Sequence, residues 1–349
     1  MSVLIALGLA LAHPASAPEN ADAPSVPQWS LVVHGGAGTI LREKMSPQTE
    51  AEIRAALDAA LALGAAHLAA GGSSLEAVEM VIRALEDDAH FNAGRGAVFT
   101  WEGTNSLDAS IMRGDTLEAG AVAGLSESRH PISVARAVME QSPHVLLSGD
   151  DAERFARAKG LERVDPSFFF TQWRYDALVR YKAQVEAEAA DAVTQRAPDA
   201  KFGTVGAVAR DSAGVISAGT STGGMTGKRW GRIGDSPIIG AGTYATARCG
   251  VSATGHGEYF IRLGVAQRIC THFDADLPPP PASDLVAGPV TPQQWVDGVM
   301  KRVGQLGGSG GVVFIDPDGR PGWSFDTPGM YRGYATPEAR RVAIFKDEE

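Results

Sequence analysis

The sequence of 349 residues predicts an α/β fold in which two β-sheets pack face to face with helices on the outside. Three observations point there. Short strand signals fall into two clusters, one before and one after a polar segment at 184–203. Helical stretches flank both clusters. The composition, 44% hydrophobic but only 7% aromatic with 41 glycines, supplies a sizeable core of small side chains and many tight turns.

The elements follow in chain order. An apolar strand at Ser30–Val33 precedes an alanine-rich helix at Pro47–Ala70, opened by Ser46 as N-cap, and a second helix at Ser74–Asp87. Strands at Leu107–Met112 and Ala119–Leu125 lead to helices at Pro131–Gln141 and Asp150–Lys159. A helical stretch, Thr171–Glu188, fades into the Ala/Glu/Asp-rich segment. Beyond it come strands at 204–210, 215–221, 237–242 and 247–253, helices at 257–273 and 292–305, and strands at 311–315 and 340–345. Pro278–Pro281 punctuates a polar insertion expected to be a surface loop. No internal repeat is visible.

Residues 1–17 read as an export signal. The apolar run Val3–Ala12 has the length of a signal core, is too short to span a membrane, and precedes an A-x-A site at Ala15-Ser-Ala17. No Lys or Arg precedes the run, and Pro18 follows the expected cut. A periplasmic or secreted location is the expectation, and a cytoplasmic one if the segment is not functional. The net charge of -10 argues against nucleic acid or an anionic membrane as partner. The two cysteines, Cys249 and Cys270, suggest neither a metal site nor a disulfide framework and read as packing residues.

The chemistry concentrates at Gly203–Thr204. A loose, cuttable linker at 184–203 runs into a Gly-Thr pair that opens a buried strand, Thr204-Val-Gly-Ala-Val-Ala. Cleavage there exposes a terminal threonine, whose own α-amine can deprotonate its hydroxyl. That amine has an unperturbed pKa of roughly 7.7–8.0, close to operating pH. Taken alone, the segment reads first as a polar linker between two domains followed by an ordinary hairpin.

Further blocks occur in a fixed order. They are His34-Gly-Gly-Ala-Gly38, Phe91-Asn-Ala-Gly-Arg-Gly-Ala-Val98 with Leu107-Asp-Ala109, Gly203-Thr-Val-Gly-Ala207, and Thr220-Ser-Thr-Gly-Gly-Met225 through Gly231-Arg-Ile-Gly-Asp-Ser-Pro237. Thr254-Gly-His-Gly-Glu258 and Leu306-Gly-Gly-Ser-Gly-Gly311 follow. In these blocks the chain resembles the plant-type L-asparaginase/isoaspartyl peptidase family of N-terminal-nucleophile hydrolases, from Ser30 to the C-terminal region.

The resemblance implies a four-layer αββα sandwich built as one composite domain. An α subunit, 18–203, and a β subunit, 204–349, would arise by self-cleavage between Gly203 and Thr204. It implies Thr204 as nucleophile, Thr222 as its orienting neighbour, and Thr254 with Gly255 as oxyanion hole. On sequence alone Thr254 serves equally as a helix cap. Arg232 and Asp235 would bind the α-carboxylate and α-ammonium of an aspartyl group, with Thr254, Gly255 and Gly257 completing the substrate site. Asn92 would buttress the nucleophile. Main-chain carbonyls of Leu85, Glu86, Asp88, Phe91, Ala93 and Arg95 would wrap a structural sodium ion; no other cofactor is implied. The implied substrates are β-aspartyl dipeptides and L-asparagine, and the implied assembly is a dimer of processed αβ protomers.

Two alternatives are kept. Glycosylasparaginase shares the nucleophile, but its pattern has Asp before it and Asn after Ser-Thr, against Gly203 and Gly223 here. A catalytically dead binding protein of this fold would release no ammonia from asparagine. Other motifs fail on context. Gly307-Gly-Ser-Gly-Gly311 lacks the strand-then-helix setting of a nucleophile elbow, and no histidine follows Ser309. Leu41 replaces the third glycine of a dinucleotide fingerprint, and His256-Gly-Glu258 has no P-C-x-x-C partner.

Overall fold

The computed structural model describes residues 28–190, 203–274 and 290–348. The expected leader, residues 191–202 of the expected linker, and the Pro278–Pro281 insertion lie outside the described residues.

The described chain begins at β1 (Ser30–Gly38), buried throughout. Leu31 and Val33 face the helices while Val32 faces the opposite sheet, so the strand reads as an unbroken apolar run because both its faces are covered. Helices α1 (Pro47–Ala69) and α2 (Ser74–Glu86) follow, and each opens on a serine that accepts from the backbone amide three residues on. The first half continues with β2 (Leu107–Arg113), β3 (Ala119–Leu125), α3 (Pro131–Gln141), β4 (Leu146–Ser148), α4 (Gly149–Ala158) and α5 (Gln172–Ala190). The second half holds β5 (Val205–Arg210), β6 (Ile216–Thr222), β7 (Thr243–Thr246), β8 (Cys249–Gly255), α6 (Gly257–Leu263), α7 (Val265–Thr271), α8 (Pro292–Gln305), β9 (Gly310–Ile315), β10 (Pro321–Phe325), β11 (Gly329–Ala335) and β12 (Arg340–Phe345).

Two sheets result. The larger runs β12-β11-β1-β5-β6-β2-β3-β4, antiparallel except for the parallel β3–β4 pair. The smaller runs β10-β9-β8-β7, all antiparallel. Helices α1, α2 and α3 cover the outer face of the large sheet, and α7 and α8 cover that of the small one. Between the sheets lies a layer containing Val32, Val208, Ile216, Ala218, Val313 and Ile315. This is the αββα sandwich that the resemblance implies. It sets β5 and β6 at the centre of the large sheet, facing β8.

Several expectations need correction. β1 runs on through the His34–Gly38 motif, which pairs with β11 across an irregularity between His34 and Gly36. Residues 237–242 form turns rather than a strand, apart from a single bridge at Ile239. The helix expected at 257–273 is two helices, broken at Gly264, whose φ of 58° is left-handed. Helix α5 continues to Ala190, into residues expected as linker. Strands β4, β7, β10 and β11 have no counterpart among the expected strands, β7 falling between those expected at 237–242 and 247–253. In β11 the alternation is disguised by Arg332, which is buried because its guanidinium donates to the carbonyls of Met330 and Phe345 and lies over the rings of Trp323 and Phe325. Cys249 and Cys270 form a disulfide, because the start of β8 and helix α7 bring residues 21 apart in sequence side by side. Among the described residues no helix is long and apolar enough to cross a membrane.

Candidate active site

Strands β5 and β6 pair with Val205 opposite Ser221, so one step further Thr204 lies beside Thr222. Their hydroxyl oxygens are 3.0 Å apart. Thr204 is buried, and the carbonyl of Gly203 before it accepts a 2.9 Å hydrogen bond from the Asn92 amide. Asn92 also clamps the far side. Its Nδ2 donates to the Gly224 carbonyl at 2.7 Å, its carbonyl accepts from the Gly223 amide at 3.1 Å, and its Oδ1 accepts from the Val98 amide at 2.9 Å. The Gly224 amide in turn donates to Thr222 Oγ1 at 2.9 Å, which fixes that hydroxyl beside Thr204. Glycine is required at Gly36, with φ 114°, because a Cβ there would lie 2.4 Å from the Gly203 Cα.

Thr254 and Gly255 end β8, and the helix that follows is capped by His256, so Thr254 is not the helix cap. Its hydroxyl accepts from the Ala37 amide at 3.4 Å, tying it to the glycine motif of β1. Gly257 sits against the charged pair: a Cβ there would lie 2.8 Å from Asp235 Oδ1 and 2.9 Å from Arg232 Nη2. The structure therefore draws Thr204 with Thr222 and Asn92, and Gly257 with Arg232 and Asp235.

Arg232 differs from expectation in one respect. Its Nε and Nη2 already grip Glu258 through two 3.0 Å hydrogen bonds, so that edge of the fork is occupied. Glu258 thereby sets the guanidinium's orientation and leaves Nη1 and the second Nη2 hydrogen for another anion. Asp235 is buried, and its Oδ2 has no hydrogen-bond partner. Burial pushes its carboxyl up from 3.8 to about 7, against the opposing pull of Arg232.

At the expected sodium loop, Gly94 and Gly96 let the chain close on itself. Cβ atoms there would fall 2.3 Å from the Glu86 carbonyl and 1.9 Å from the Phe91 carbonyl. The Leu85, Asp88 and Ala93 carbonyls accept backbone amides within the loop. Neutral carbonyl oxygens suit a hard monovalent cation. Among the described residues no cluster of three His, Cys, Asp or Glu side chains could hold a metal.

Sequence reasoning missed three contributors. The Glu86 side chain, wholly buried with its carboxyl pushed up by desolvation, accepts from Ser221 Oγ at 2.6 Å and from the Ile132 amide, and meets His130. It thus braces the residue next to Thr222. Glu258, which closes the Thr254–Glu258 block in the sequence with no role of its own, holds Arg232. His34, whose Nδ1 meets the Thr204 carbonyl at 3.0 Å, carried a signal in the sequence: a histidine ending an apolar strand.

An asparaginase family model matches residues 27–344. The chain is 46% identical to an isoaspartyl peptidase of Escherichia coli (strain K12) over 309 residues, covering 87% of this chain and 92% of that protein. It is 43% identical over 332 residues to a putative isoaspartyl peptidase/L-asparaginase of Dictyostelium discoideum, covering 87% and 92%. A plant-type L-asparaginase of Thermococcus kodakarensis is 39% identical over 305 residues, covering 86% and 94%. With this fold, this family match and relatives at these identities, the chain belongs to the asparaginase family and is an enzyme, a hydrolase of the N-terminal-nucleophile fold.

Proposed function

We propose that the chain is made as an inactive precursor, cuts itself between Gly203 and Thr204, and then releases L-aspartate from β-aspartyl dipeptides and L-asparagine. The observation that carries this reading is the Thr204 hydroxyl, held against Thr222 at the head of a central strand, directly after a carbonyl that accepts from the Asn92 amide. In the cut, Thr204 Oγ attacks the Gly203 carbonyl carbon, the C–N bond breaks, and water hydrolyses the resulting ester. The products are a carboxylate on Gly203 and a free amine on Thr204. That amine then serves as base for the same hydroxyl, which takes the β-aspartyl group as an ester while the amine of the leaving group departs. A second water frees aspartate. Thr254 and Gly255 are assigned to the oxyanion, and Arg232, Asp235 and Gly257 to the aspartyl end.

Gly203 and Gly223 stand against the glycosylasparaginase alternative. Aspartate release from a β-aspartyl dipeptide, compared with release from N4-glycosylated asparagine, tests the assignment. A clear preference for the glycosylated substrate would overturn it.

The raised Asp235 carboxyl makes binding pH-dependent. Only its carboxylate can pair with an α-ammonium, so the affinity for the product L-aspartate should weaken as pH falls through about 7. Well below that value the loss is about tenfold per pH unit. Calorimetric titration from pH 5 to 8 measures it, and Asp235→Asn should bind weakly at every pH. A flat wild-type profile would remove Asp235 from the site.

The carbonyls of Leu85, Glu86, Asp88, Phe91, Ala93 and Arg95 are assigned to a sodium ion that stiffens the segment carrying Asn92. A cation bound only by the folded form stabilises it by mass action. The melting temperature should therefore climb with sodium concentration relative to a large organic cation at equal ionic strength; superimposable melting curves would remove the site. Two further readings belong here. Assembly is assigned as a dimer of processed protomers. Export is the location we assign if the 1–17 segment works as a leader, and the Cys249–Cys270 disulfide supports it, since such bonds persist in oxidising compartments; without a working leader the location is cytoplasmic.

A further inference from the structure

The geometry points to His34 as the positioning residue of the nucleophile, the last link of a one-way chain of buried hydrogen bonds that runs Ser110–Thr243–Thr220–Ser252–His34 and ends on the Thr204 carbonyl. The inference rests on the reading of Thr204 as nucleophile.

All five side chains are fully buried. They come from five strands of both sheets and cross the layer that holds Val32, Val208, Ile216, Ala218, Val313 and Ile315. Buried hydroxyls and imidazoles are costly unless hydrogen-bonded, and each of these is. Ser110 Oγ lies 2.8 Å from Thr243 Oγ1, and Thr243 Oγ1 lies 2.6 Å from Thr220 Oγ1. Thr220 Oγ1 lies 2.7 Å from Ser252 Oγ, Ser252 Oγ 2.9 Å from His34 Nε2, and His34 Nδ1 3.0 Å from the Thr204 carbonyl.

The direction of this chain follows from donor counting. A carbonyl only accepts, so His34 Nδ1 must carry the proton that faces Thr204. Burial pushes the imidazole down to about 3, so it is neutral and Nε2 must accept. Ser252 therefore donates to His34; Thr220, which also faces the Gly242 carbonyl at 3.2 Å, donates along its shorter contact to Ser252, and Thr243 donates to Thr220. Ser110 closes the far end, its one proton lying between Thr243 Oγ1 and the Ser236 carbonyl 2.6 Å away, whereas the opposite order at His34 would set the Nδ1 lone pair against the Thr204 carbonyl oxygen. Gly206 makes room for the crossing. A Cβ there would fall 1.9 Å from Ser252 Oγ and 2.4 Å from His34 Nε2, which gives a physical reason for glycine in Gly203-Thr-Val-Gly-Ala207.

The function of the chain lies in what cleavage removes. Before the cut Thr204 is held from both sides along the backbone. Afterwards the link to Gly203 is gone, and with it the restraint of the Asn92–Gly203 hydrogen bond. The His34 contact to the carbonyl and the Thr222 contact to the hydroxyl remain, and together they orient the atoms that carry the new amine. Misplacing reacting groups by about 1 Å costs on the order of a hundredfold in rate.

The test uses the processed enzyme and its uncut precursor. His34→Ala should slow self-cleavage and lower kcat for a β-aspartyl dipeptide about 10- to 100-fold with little change in KM. His34→Asn, which keeps a donor toward Thr204, should recover part of that loss. Ser252→Ala, which releases the tautomer, should show the same kcat-only defect in milder form. Val208→Ala, in the same layer but outside the chain, is the control for lost packing. A lower melting temperature with wild-type kcat and cleavage rate in the His34 and Ser252 variants would reduce the chain to a structural role and overturn the inference. So would imidazole nitrogen shifts showing His34 protonated at Nε2. By contrast, a wild type that never splits yet hydrolyses the dipeptide would overturn the proposed function itself.

Discussion

Purified wild-type protein is expected to run as two fragments on a denaturing gel, the smaller beginning at Thr204, while Thr204→Ala stays a single chain and loses activity by about four orders of magnitude or more. The size of the effect follows from the double duty of one side chain. In the proposed mechanism its hydroxyl is the attacking group in both reactions, and its α-amine exists only after the first. The 3.0 Å Thr204–Thr222 contact and the Asn92 amide on the Gly203 carbonyl support the proposed attack. Intact mass and N-terminal sequencing measure it. A wild type that remains full-length but active would sink the mechanism.

Arg232→Ala and Asp235→Ala should each lower kcat/KM for β-aspartyl substrates roughly ten- to a hundredfold or more, the scale of one charge-assisted hydrogen bond of about 1.5–3 kcal/mol. Both should still cut themselves, because the Gly203–Thr204 bond presents no free α-carboxylate or α-ammonium. Removing Arg232 leaves Glu258 half-exposed and able to hydrate. Removing Asp235 takes away a buried carboxyl with an unpartnered oxygen. Its folded-state pKa is raised from 3.8 to about 7, so this group's contribution to stability is lost as pH rises through that window. Asp235→Asn should therefore melt no lower than wild type above pH 7. Substrates lacking the α-carboxylate should be poor for wild type and scarcely poorer for Arg232→Ala. Wild-type efficiency in Arg232→Ala would make that arginine a loop charge held by Glu258.

Much of the fold was legible because period and punctuation agree with it. Ser46 and Ser73 cap the helices they precede, and the strands at 107–113, 119–125, 205–210 and 216–222 lie within two residues of expectation. The failures share a cause. Residues 237–242 look like a strand because they are apolar, yet they turn, with the Gly242 amide bonding back to the Asp235 carbonyl. β11 hides its alternation behind Arg332, whose charge is carried inside by carbonyls and aromatic rings. The cysteine pair looked inert at a spacing of 21, and only the packing of α7 on β8 brings it together.

By itself the sequence determined the sandwich of sheets and helices, the family, and the positions of the threonine, the cation and the anion to which acyl transfer is assigned in the proposed function. These are properties of local pattern and residue type, and a linear chain records them directly. Tertiary structure alone decided which edge of Arg232 Glu258 occupies, that an Asp235 oxygen stays unpartnered, and that His34 ends a hydrogen-bond chain on the Thr204 carbonyl. Each depends on burial, or on contacts between residues 23 to 218 positions apart. Such contacts set tautomer, direction and pKa through distances that residue spacing along the chain does not encode.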